Sequence, residues 1–509
     1  MVTSSPSRPG PRSPGSKARF AVLKRERRRA VTQPIVTTTE GAVRGSADGD
    51  VRRFLAIPYA APPRGAGRFA LPEPHEPWAG VRGARLPGPT PPQPRRDAFG
   101  VLDMSPYFGP GWVRGDDYLT VNVWAPRDAE GCPVMVFVHG GGFVAGSTRS
   151  PLFDGAAFAR DGVVLVTLNY RLGVAGFLDL PGAPRNRGLR DVIAALGWVR
   201  RNVEAFGGDP CNVTLFGQSA GATIVGGILA TPEAEGLFRR AIVQSGSGLG
   251  AFSPEQAARV TRAVAAALGT EPTAAGFAPV PDERFVAVMA GLGGLDLRTE
   301  DRLDPLAGLS AFSIVLDRQP AESPLADAGL LIGTNLEEGN LYLAPQGDLT
   351  TSTAEDVRRT AAQAHRAPGE LIAAYEARSP GAGPAGTRSA ILGDALFGAG
   401  TRRLAEAHGD AYAYEFAWRS TAVEGRLGAA HAVELPFVFD HLDLPGLRGP
   451  AGLLGPDEPP ASLAKEMHAA WISFARTGDP GWPRLAQGGQ VRRFDTVSTV
   501  TGARDLSMW

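Results

Sequence analysis

The sequence predicts an α/β fold with a mostly parallel central sheet that is flanked by helices. Short, continuously apolar segments alternate with helical ones, as in the strands predicted at Pro133–Phe143 and Val163–Leu172 and the helix at Leu189–Phe206. Strands that are apolar on both faces are typical of parallel sheets covered by helices on each side. A chain of 509 residues with 43% hydrophobic residues is long and apolar enough to bury a large core.

Further elements follow in the same alternating order. Strands are predicted at Asn212–Gly217, Arg239–Gly246, Ala328–Asn335 and Asp410–Trp418, and another helix at Ala222–Ala230. Two Ala-rich helical stretches, near 252–310 and 353–408, are expected to form a cap over the carboxyl ends of the strands. Order is expected to begin near Pro34, where β-branched residues precede turn glycines, and the segment from 54 to 116 is rich in loops.

The formal net charge of zero conceals an asymmetry along the chain. Residues 1–30 carry nine basic side chains and one acidic one, whereas the rest of the chain holds 43 basic and 51 acidic side chains. No nucleic acid is therefore expected as a partner of the folded domain. The Ser/Pro/Arg-rich segment 1–33 is predicted to be a disordered basic tail, interpreted as a passive extension rather than a nucleic-acid or membrane arm. Residues 34–509 are predicted to form the folded α/β domain.

Several classes of protein are disfavoured by what the sequence lacks. Cys132 and Cys211 are its only cysteines, too few for a disulfide framework or a Cys-rich metal site. No apolar run reaches the roughly 18 residues that span a bilayer, and no clear apolar stretch follows the N-terminal basic residues as in a secretory signal. We expect a cytoplasmic protein, with secretion left open, and the sequence indicates no oligomeric state.

A candidate nucleophile lies in Gly217-Gln218-Ser219-Ala220-Gly221. An apolar strand precedes this G-x-S-x-G pattern and a helical segment follows it, which is the context of a nucleophile elbow. Small neighbours let strand and helix approach closely, and the hydroxyl of Ser219 then projects above the sheet. The alternative is an ordinary Gly-rich turn between a strand and a helix.

A candidate oxyanion hole lies in His139-Gly140-Gly141-Gly142-Phe143, directly after a predicted strand. This HGGG pattern supplies backbone N–H donors to a tetrahedral oxyanion, and the N–H of Ala220 is expected as a further donor. Glycine is required because a Cβ would block the approach of the carbonyl oxygen. His139 itself is expected to be structural.

Position along the chain narrows the choice of base and acid. In a fold with a nucleophile elbow the order is Ser, then Asp or Glu, then His, which excludes the two histidines before Ser219. His431, in a loop just before an apolar run, is the favoured base, with His441 second. Glu337 and Glu338 follow a predicted strand and are the candidate acids, and position alone does not choose between them.

Taken together, these residues resemble the type-B carboxylesterases, the α/β-hydrolase family that includes bacterial carboxylesterases and the cholinesterases. The resemblance runs from about Pro34 onward and includes DDYLTVNVW, NYRLGVAGFL, GGDPCNVTLFGQSAGA, GTNLEEG, HAVELPFVF and WISFARTGDPGWP. It implies an α/β-hydrolase fold, a triad of Ser219, Glu338 and His431, and oxyanion donors at Gly141, Gly142 and Ala220. It implies neither a cofactor nor a metal.

The sequence also departs from the family's pattern. Pro91 and Tyr118 occupy the positions of a loop disulfide found in animal members, and Gln218 replaces the Glu of cholinesterases, which disfavours choline esters. Cys132 and Cys211 precede two strands that are neighbours in this fold, so a bridge is conceivable, although two reduced thiols are favoured.

The expected function is hydrolysis of small to medium carboxylate esters through an acyl-enzyme, with the ester and water as the partners. Removal of residues 1–30 is expected to leave this activity intact. The alternatives are a non-catalytic binding module of the same fold and a hydrolase of carbamates, amides or polyester-like substrates.

Overall fold

The strands of the protein were defined in a computed structural model, which describes residues 1–2 and 33–509. The disordered tail predicted at 1–33 falls almost entirely outside the described residues and stays a prediction. Sixteen strands occur in the described part of the chain: β1 Ile35–Thr37, β2 Ala42–Arg44, β3 Ser46–Asp48, β4 Val51–Pro58, β5 Val81–Gly83, β6 Ala98–Phe99, β7 Leu102–Asp103, β8 Thr120–Pro126, β9 Cys132–Val138, β10 Val164–Leu168, β11 Gly208–Gln218, β12 Arg240–Gln244, β13 Gly329–Asn335, β14 Ala411–Phe416, β15 Gln490–Phe494 and β16 Thr499–Gly502.

Eleven of these strands form one central sheet in the order β16-β15-β14-β13-β12-β11-β9-β10-β8-β4-β3. The seven strands from β15 to β10 in this order run parallel to their neighbours. The remaining strands, β8, β4 and β3 at one edge and β16 at the other, are antiparallel. The predicted mostly parallel α/β sheet is therefore confirmed.

The central strands are apolar throughout because both faces of the sheet are covered. In β9, Val134 and Val136 belong to one buried cluster, whereas Met135 and Phe137 belong to another. Successive side chains of a strand point to opposite faces, so the two clusters are two separate apolar layers. Helix Arg187–Asn202 contributes Trp198 to the first layer, and helix Ala461–Thr477 contributes Trp471 to the second.

The sequence does not predict the antiparallel strand β4. This strand extends into the segment 54–116 that is expected to be rich in loops, and its register with β8 shifts between Phe54 and Ile57. Strand β11 begins at Gly208, four residues before the predicted start at Asn212, and its register with β9 also shifts before Val213. Such irregularities break the period-two alternation that identifies a strand in a sequence.

Helices connect the strands and occupy most of the Ala-rich stretch 353–408. The stretch 252–310 is helical only as far as Ala290, and the helix expected over 291–310 is absent, in a segment that contains four glycines. The α-helices are Ser105–Phe108, Ala156–Arg160, Gly173–Phe177, Arg187–Asn202, Ala220–Leu229, Pro254–Leu268, Ala274–Phe277, Asp282–Ala290, Asn340–Leu343, Asp348–Thr351, Ala354–Ala364, Pro368–Arg378, Gly383–Gly393, Ala399–His408, Leu435–Val438 and Ala461–Thr477. One turn of π-helix, Asp394–Gly398, joins the helices Gly383–Gly393 and Ala399–His408. None of the helices in the described residues is long and apolar enough to cross a membrane.

Both cysteines are free thiols. Cys132 begins β9 and Cys211 lies in the neighbouring strand β11, so the expected adjacency of the two strands is correct. The favoured state of two unpaired thiols is the one that the structure contains.

Candidate active site

Ser219 occupies a strained turn between β11 and helix Ala220–Leu229. Its φ of 59° and ψ of −126° are unfavourable for a residue with a side chain, and only 9% of the residue is exposed. The turn is possible because its neighbours are glycines. A Cβ on Gly217 would lie 2.7 Å from the carbonyl carbon of Gly221, and a Cβ on Gly221 would collide with the carbonyl oxygen of Val138. The local sequence therefore produces the predicted elbow.

Three residues with unpaired backbone N–H groups line the cavity that contains Ser219. They are Gly141, Gly142 and Ala220, and none of these N–H groups donates to an acceptor among the described residues. Gly141 and Gly142 have φ values of 120° and 62°, which explains the glycines of the HGGG segment. Ala220 is the first residue of its helix, where an N–H has no partner within the helix. The three residues predicted as donors therefore line one cavity, and their N–H groups have no acceptor among the described residues.

His431 and Glu338 form a short hydrogen bond although they are far apart in the sequence. Nδ1 of His431 lies 2.6 Å from Oε2 of Glu338, and both side chains are buried. A carboxylate can only accept, so Nδ1 carries a proton, and in the neutral imidazole Nε2 is then the acceptor. The other carboxylate oxygen of Glu338 accepts from the hydroxyl of Ser245 at 2.6 Å and from the backbone N–H of Asn335 at 2.7 Å.

Glu337, the alternative acid, points elsewhere. Its carboxylate pairs with Arg419 and accepts from the backbone N–H of Ala429 at 2.9 Å. His441, the alternative base, is not among the residues that line the cavity with Ser219. The structure thus brings Glu338 and His431 together and leaves both alternatives apart.

Nε2 of His431 lies against a polar side chain that sequence reasoning does not select. The side-chain amide of Gln218 donates to this nitrogen at 3.2 Å, and the Gln218 carbonyl accepts from the hydroxyl of Tyr107 at 2.7 Å. Among the described residues, Ser219 makes no side-chain hydrogen bond to His431. Burial raises the pKa of Tyr107 well above its ordinary value, so its hydroxyl stays a donor. The only sequence feature that could have indicated this role of Gln218 is its position directly before Ser219 in the G-x-S-x-G pattern.

His139, the first residue of the HGGG segment, makes contacts that do not involve Ser219 or His431. Nδ1 of His139 donates to the carbonyl of Gly140 at 2.8 Å, and its ring stacks on Tyr170 at a centroid distance of 4.5 Å. Burial lowers the pKa of His139 to about 4, so the ring is neutral at pH 7. These contacts fit the expectation that His139 is structural.

The cavity at Ser219 has a volume of about 400 Å³. Its walls are mainly apolar and include Phe99, Phe108, Leu309, Leu341 and Phe397. No group of three or more His, Cys, Asp or Glu side chains suited to a metal ion occurs in the described part of the chain. The cavity therefore combines a mainly apolar surface with polar side chains that include Ser219 and His431.

A family model described as "Carboxylesterase family" matches residues 32–492. The chain belongs to the carboxylesterase family. It is 35% identical to phenmedipham hydrolase of Pseudarthrobacter oxydans over 94% of this chain and 98% of the relative. It is 36% identical to para-nitrobenzyl esterase of Bacillus subtilis (strain 168) over 89% of this chain and 93% of the relative.

A solved carboxylesterase of Geobacillus stearothermophilus has the same overall structure. It superimposes with a TM-score of 0.79 at 35% identity, covering 92% of this chain and 97% of the other. The family resemblance and the α/β-hydrolase fold predicted from the sequence are thereby confirmed. The protein is a carboxylic ester hydrolase.

This carboxylesterase has a second buried carboxylate, that of Glu434, near Glu338. Glu434 is completely buried and accepts from the side-chain amide of Asn335 at 2.7 Å and from that of Gln244 at 3.4 Å. Burial and the nearby charge of Glu338 raise its pKa to about 7, whereas His431 opposes this shift. Sequence reasoning does not identify Glu434, although it lies three residues after His431 in the motif HAVELPFVF.

Proposed function

We propose that this carboxylesterase hydrolyses small to medium carboxylate esters through an acyl-enzyme formed on Ser219. In this proposal His431 is the general base and acid, Glu338 orients it, and Gly141, Gly142 and Ala220 donate to the oxyanion. The observation that carries the proposal is the 2.6 Å hydrogen bond from His431 Nδ1 to Glu338. It leaves Nε2 unprotonated at the edge of the cavity that Ser219 lines.

The reaction follows from these positions in two steps. His431 Nε2 takes the proton of Ser219 while Oγ attacks the ester carbonyl, and the three amides stabilise the negative oxygen. His431 then gives the proton to the departing alcohol. In the second step a water molecule attacks the acyl-enzyme in the same way and releases the acid. Glu338 stabilises the charged imidazole without taking its proton.

The amide of Gln218 must give up His431 Nε2 before Ser219 can use it. Catalytic hydrogen bonds are often long or absent in a substrate-free site and form when substrate is bound. The separation of the two nitrogens, 3.2 Å, is that of a moderate bond between neutral groups. We therefore expect Ser219 to displace the amide once an ester occupies the cavity.

We also propose that the described residues 34–509 act as one catalytic domain with cap segments near 252–310 and 353–408. The support is the cavity wall itself. Leu306 and Leu309 come from the first segment, and Leu396 and Phe397 come from the second. Both segments thus contribute apolar surface on which the substrate would rest.

Hydrolysis of p-nitrophenyl butyrate by Ser219→Ala tests the proposal. We expect kcat to fall by at least about 10⁴-fold, because removal of a serine nucleophile leaves only oxyanion stabilisation and binding. Ser473→Ala is the matched control, since the hydroxyl of Ser473 donates to a backbone carbonyl outside the cavity. A fluorophosphonate should label wild type at Ser219, as read by peptide mass spectrometry. Equal hydrolysis by wild type and Ser219→Ala would reject the proposal.

A further inference from the structure

The cavity wall contains one cationic side chain that the proposed chemistry does not use. Arg96 lines the cavity together with Ser219, Gly142 and Tyr342. Its guanidinium lies near the candidate oxyanion hole, since a Cβ built on Gly142 would be 4.0 Å from Nη1 of Arg96. A positive charge therefore stands within reach of a substrate whose carbonyl is bound at Gly142.

Arg96 has no partner within the protein. No ion pair or side-chain hydrogen bond joins its guanidinium to any described residue. The neighbouring Arg95 behaves differently, since it pairs with Asp97 at 2.6 Å and is 75% exposed. The fully buried Arg171 is likewise satisfied, by Asp191 and three backbone carbonyls. Arg96 is half-buried and none of its nitrogens is a fully buried unpaired atom, so its guanidinium keeps contact with solvent but has no acceptor among the described residues.

The surroundings of Arg96 favour a negatively charged ligand. No Asp or Glu is among the residues that line the described cavity, so its positive charge is not neutralised there. Burial lowers the pKa of Arg96, as expected for a cation withdrawn from water, but the guanidinium of an arginine remains protonated at neutral pH. Tyr342 lines the same cavity, and its hydroxyl makes no hydrogen bond to a described residue. A guanidinium and a free hydroxyl in one cavity wall are both groups that donate hydrogen bonds to a carboxylate.

We infer that Arg96 is a specificity residue that selects esters carrying a carboxylate elsewhere in the molecule. The inference rests on the proposed function, because it assumes that the ester reacts at Ser219. The carboxylate could belong to the acid half of the ester, as in a monoester of a dicarboxylic acid, or to the alcohol half. In either case the free carboxylate supplies the acceptor that Arg96 lacks among the described residues, while the apolar walls contact the intervening carbon chain.

The test compares esters that carry this charge with their neutral ester counterparts, in wild type and in variants, so that the second ester group of each neutral compound affects all proteins alike. Monoethyl and diethyl adipate place the charge on the acid half, and 3-acetoxypropanoate and its methyl ester place it on the alcohol half. Initial rates are measured in a pH-stat, and the quantity of interest is the ratio of kcat/KM for the charged ester to that for its neutral partner. We expect Arg96→Met to lower this ratio by about 10-fold or more in one of the two series, as for the loss of a charge-assisted hydrogen bond.

Two further variants separate charge recognition from a structural effect. Arg96→Lys should recover part of the ratio because it keeps the charge without the planar fork. Arg95→Met should leave the ratio unchanged, because Arg95 lies outside the cavity. The effect should appear mainly in KM, as expected for binding that is equal in the ground and transition states. Raising the ionic strength should weaken the wild-type preference.

The outcomes distinguish the inference from the function on which it rests. If wild type hydrolyses the neutral esters through Ser219 but Arg96→Met changes the ratio in neither series, the inference about Arg96 is overturned and the proposed function stands. If Ser219→Ala hydrolyses the neutral esters as fast as wild type, the proposed function itself fails.

Discussion

The ring of Phe397 lies almost flat on the imidazole of His431, with centroids 4.3 Å apart and planes inclined by 8°. Phe397 belongs to the π-helical turn Asp394–Gly398, a type of turn that is often found at functional sites. The turn is fixed by Asp394, which is buried and accepts from Tyr375 at 2.5 Å and from Arg504 at 3.2 Å. The contact holds the imidazole in one plane and places an aromatic face where a charged imidazolium would form.

Phe397→Leu is expected to lower kcat more than it changes KM for a small ester. An aromatic pair contributes about 0.5–1.5 kcal/mol beyond burial, which corresponds to a loss of about 3- to 10-fold if the contact matters most when the imidazole is charged. Phe397→Tyr keeps the ring and should retain most of the rate. The measurement is kcat and KM of the two variants in steady-state kinetics. An equal fall of kcat in both would show that the aromatic ring of Phe397 does not contribute to the rate.

Glu337 and Glu338 provide a matched pair for testing which carboxylate orients His431. Glu338→Gln should lower kcat by about 10³- to 10⁴-fold, since an amide favours the wrong imidazole tautomer. Glu337→Gln removes only the pairing with Arg419 at the surface and should stay within about 2-fold of wild type. The kcat values of both variants are measured with p-nitrophenyl butyrate at pH 7.5. Similar losses in the two variants would contradict the assignment of Glu338.

The elbow and the glycine-rich donors could be predicted because their geometry is encoded locally. Five consecutive residues around Ser219 contain the small side chains that a tight turn between strand and helix requires. Glu338 and His431 are different, since 93 residues separate them and their contact depends on how β13 and the loop after β14 meet. Position alone therefore leaves Glu337 and His441 as candidates, and the family resemblance is needed to choose.

Features without a local pattern could not be predicted. Strand β4 carries a register shift between Phe54 and Ile57 that removes its alternation. The π-helical turn that presents Phe397 lies within an Ala-rich stretch whose periodicity is that of an ordinary helix. Arg96 and Glu434 owe their properties to what surrounds them in three dimensions, and a sequence does not contain that information in readable form.

Substitution by alanine should change the free energy of unfolding in opposite directions at two glycines of helix Ala220–Leu229. In Gly221→Ala the new Cβ meets the carbonyl oxygen of Val138, so helix and sheet must separate at a cost of about 1–3 kcal/mol. In Gly226→Ala the nearest atom is the side-chain end of Leu404 at 3.4 Å, and the helix should gain up to about 1 kcal/mol. Urea denaturation gives both values. Equal destabilisation would show that the close approach at Gly221 is not limiting.

Removal of residues 1–30 should leave kcat and KM for p-nitrophenyl butyrate within about 2-fold of the full chain, since a change without catalytic contacts costs little. The family match begins at residue 32, and the first described strand, β1, pairs with β2 after this point. Full chain and truncated protein are compared at equal active-site concentration, determined by fluorophosphonate titration. A truncated protein with a much lower kcat would show that the basic segment contributes to the site.

Glu434 should make the stability of the protein decrease as the pH rises. Its pKa is about 7 in the folded chain, against 4.5 ordinarily, so the folded state binds this proton more tightly than the unfolded state. The associated stabilisation is complete below pH 4.5 and is lost as the pH rises through 7. A shift of this size corresponds to about 3 kcal/mol. The difference in unfolding free energy between Glu434→Gln and wild type should therefore move in favour of the variant by up to that amount from pH 4.5 to 8.

The pH dependence of this difference separates titration from simple loss of a contact. Replacing Glu434 by Gln alters the hydrogen bonds with Asn335 and Gln244, but that cost is the same at every pH and contributes only a constant offset. Urea denaturation of both proteins at intervals between pH 4.5 and 8 measures the slope. If the two stability curves stay parallel, Glu434 does not change protonation in this range and remains charged beside Glu338. A slope that runs from about pH 4.5 to 7 and levels off above pH 7 would show that the folded state binds this proton with the raised pKa.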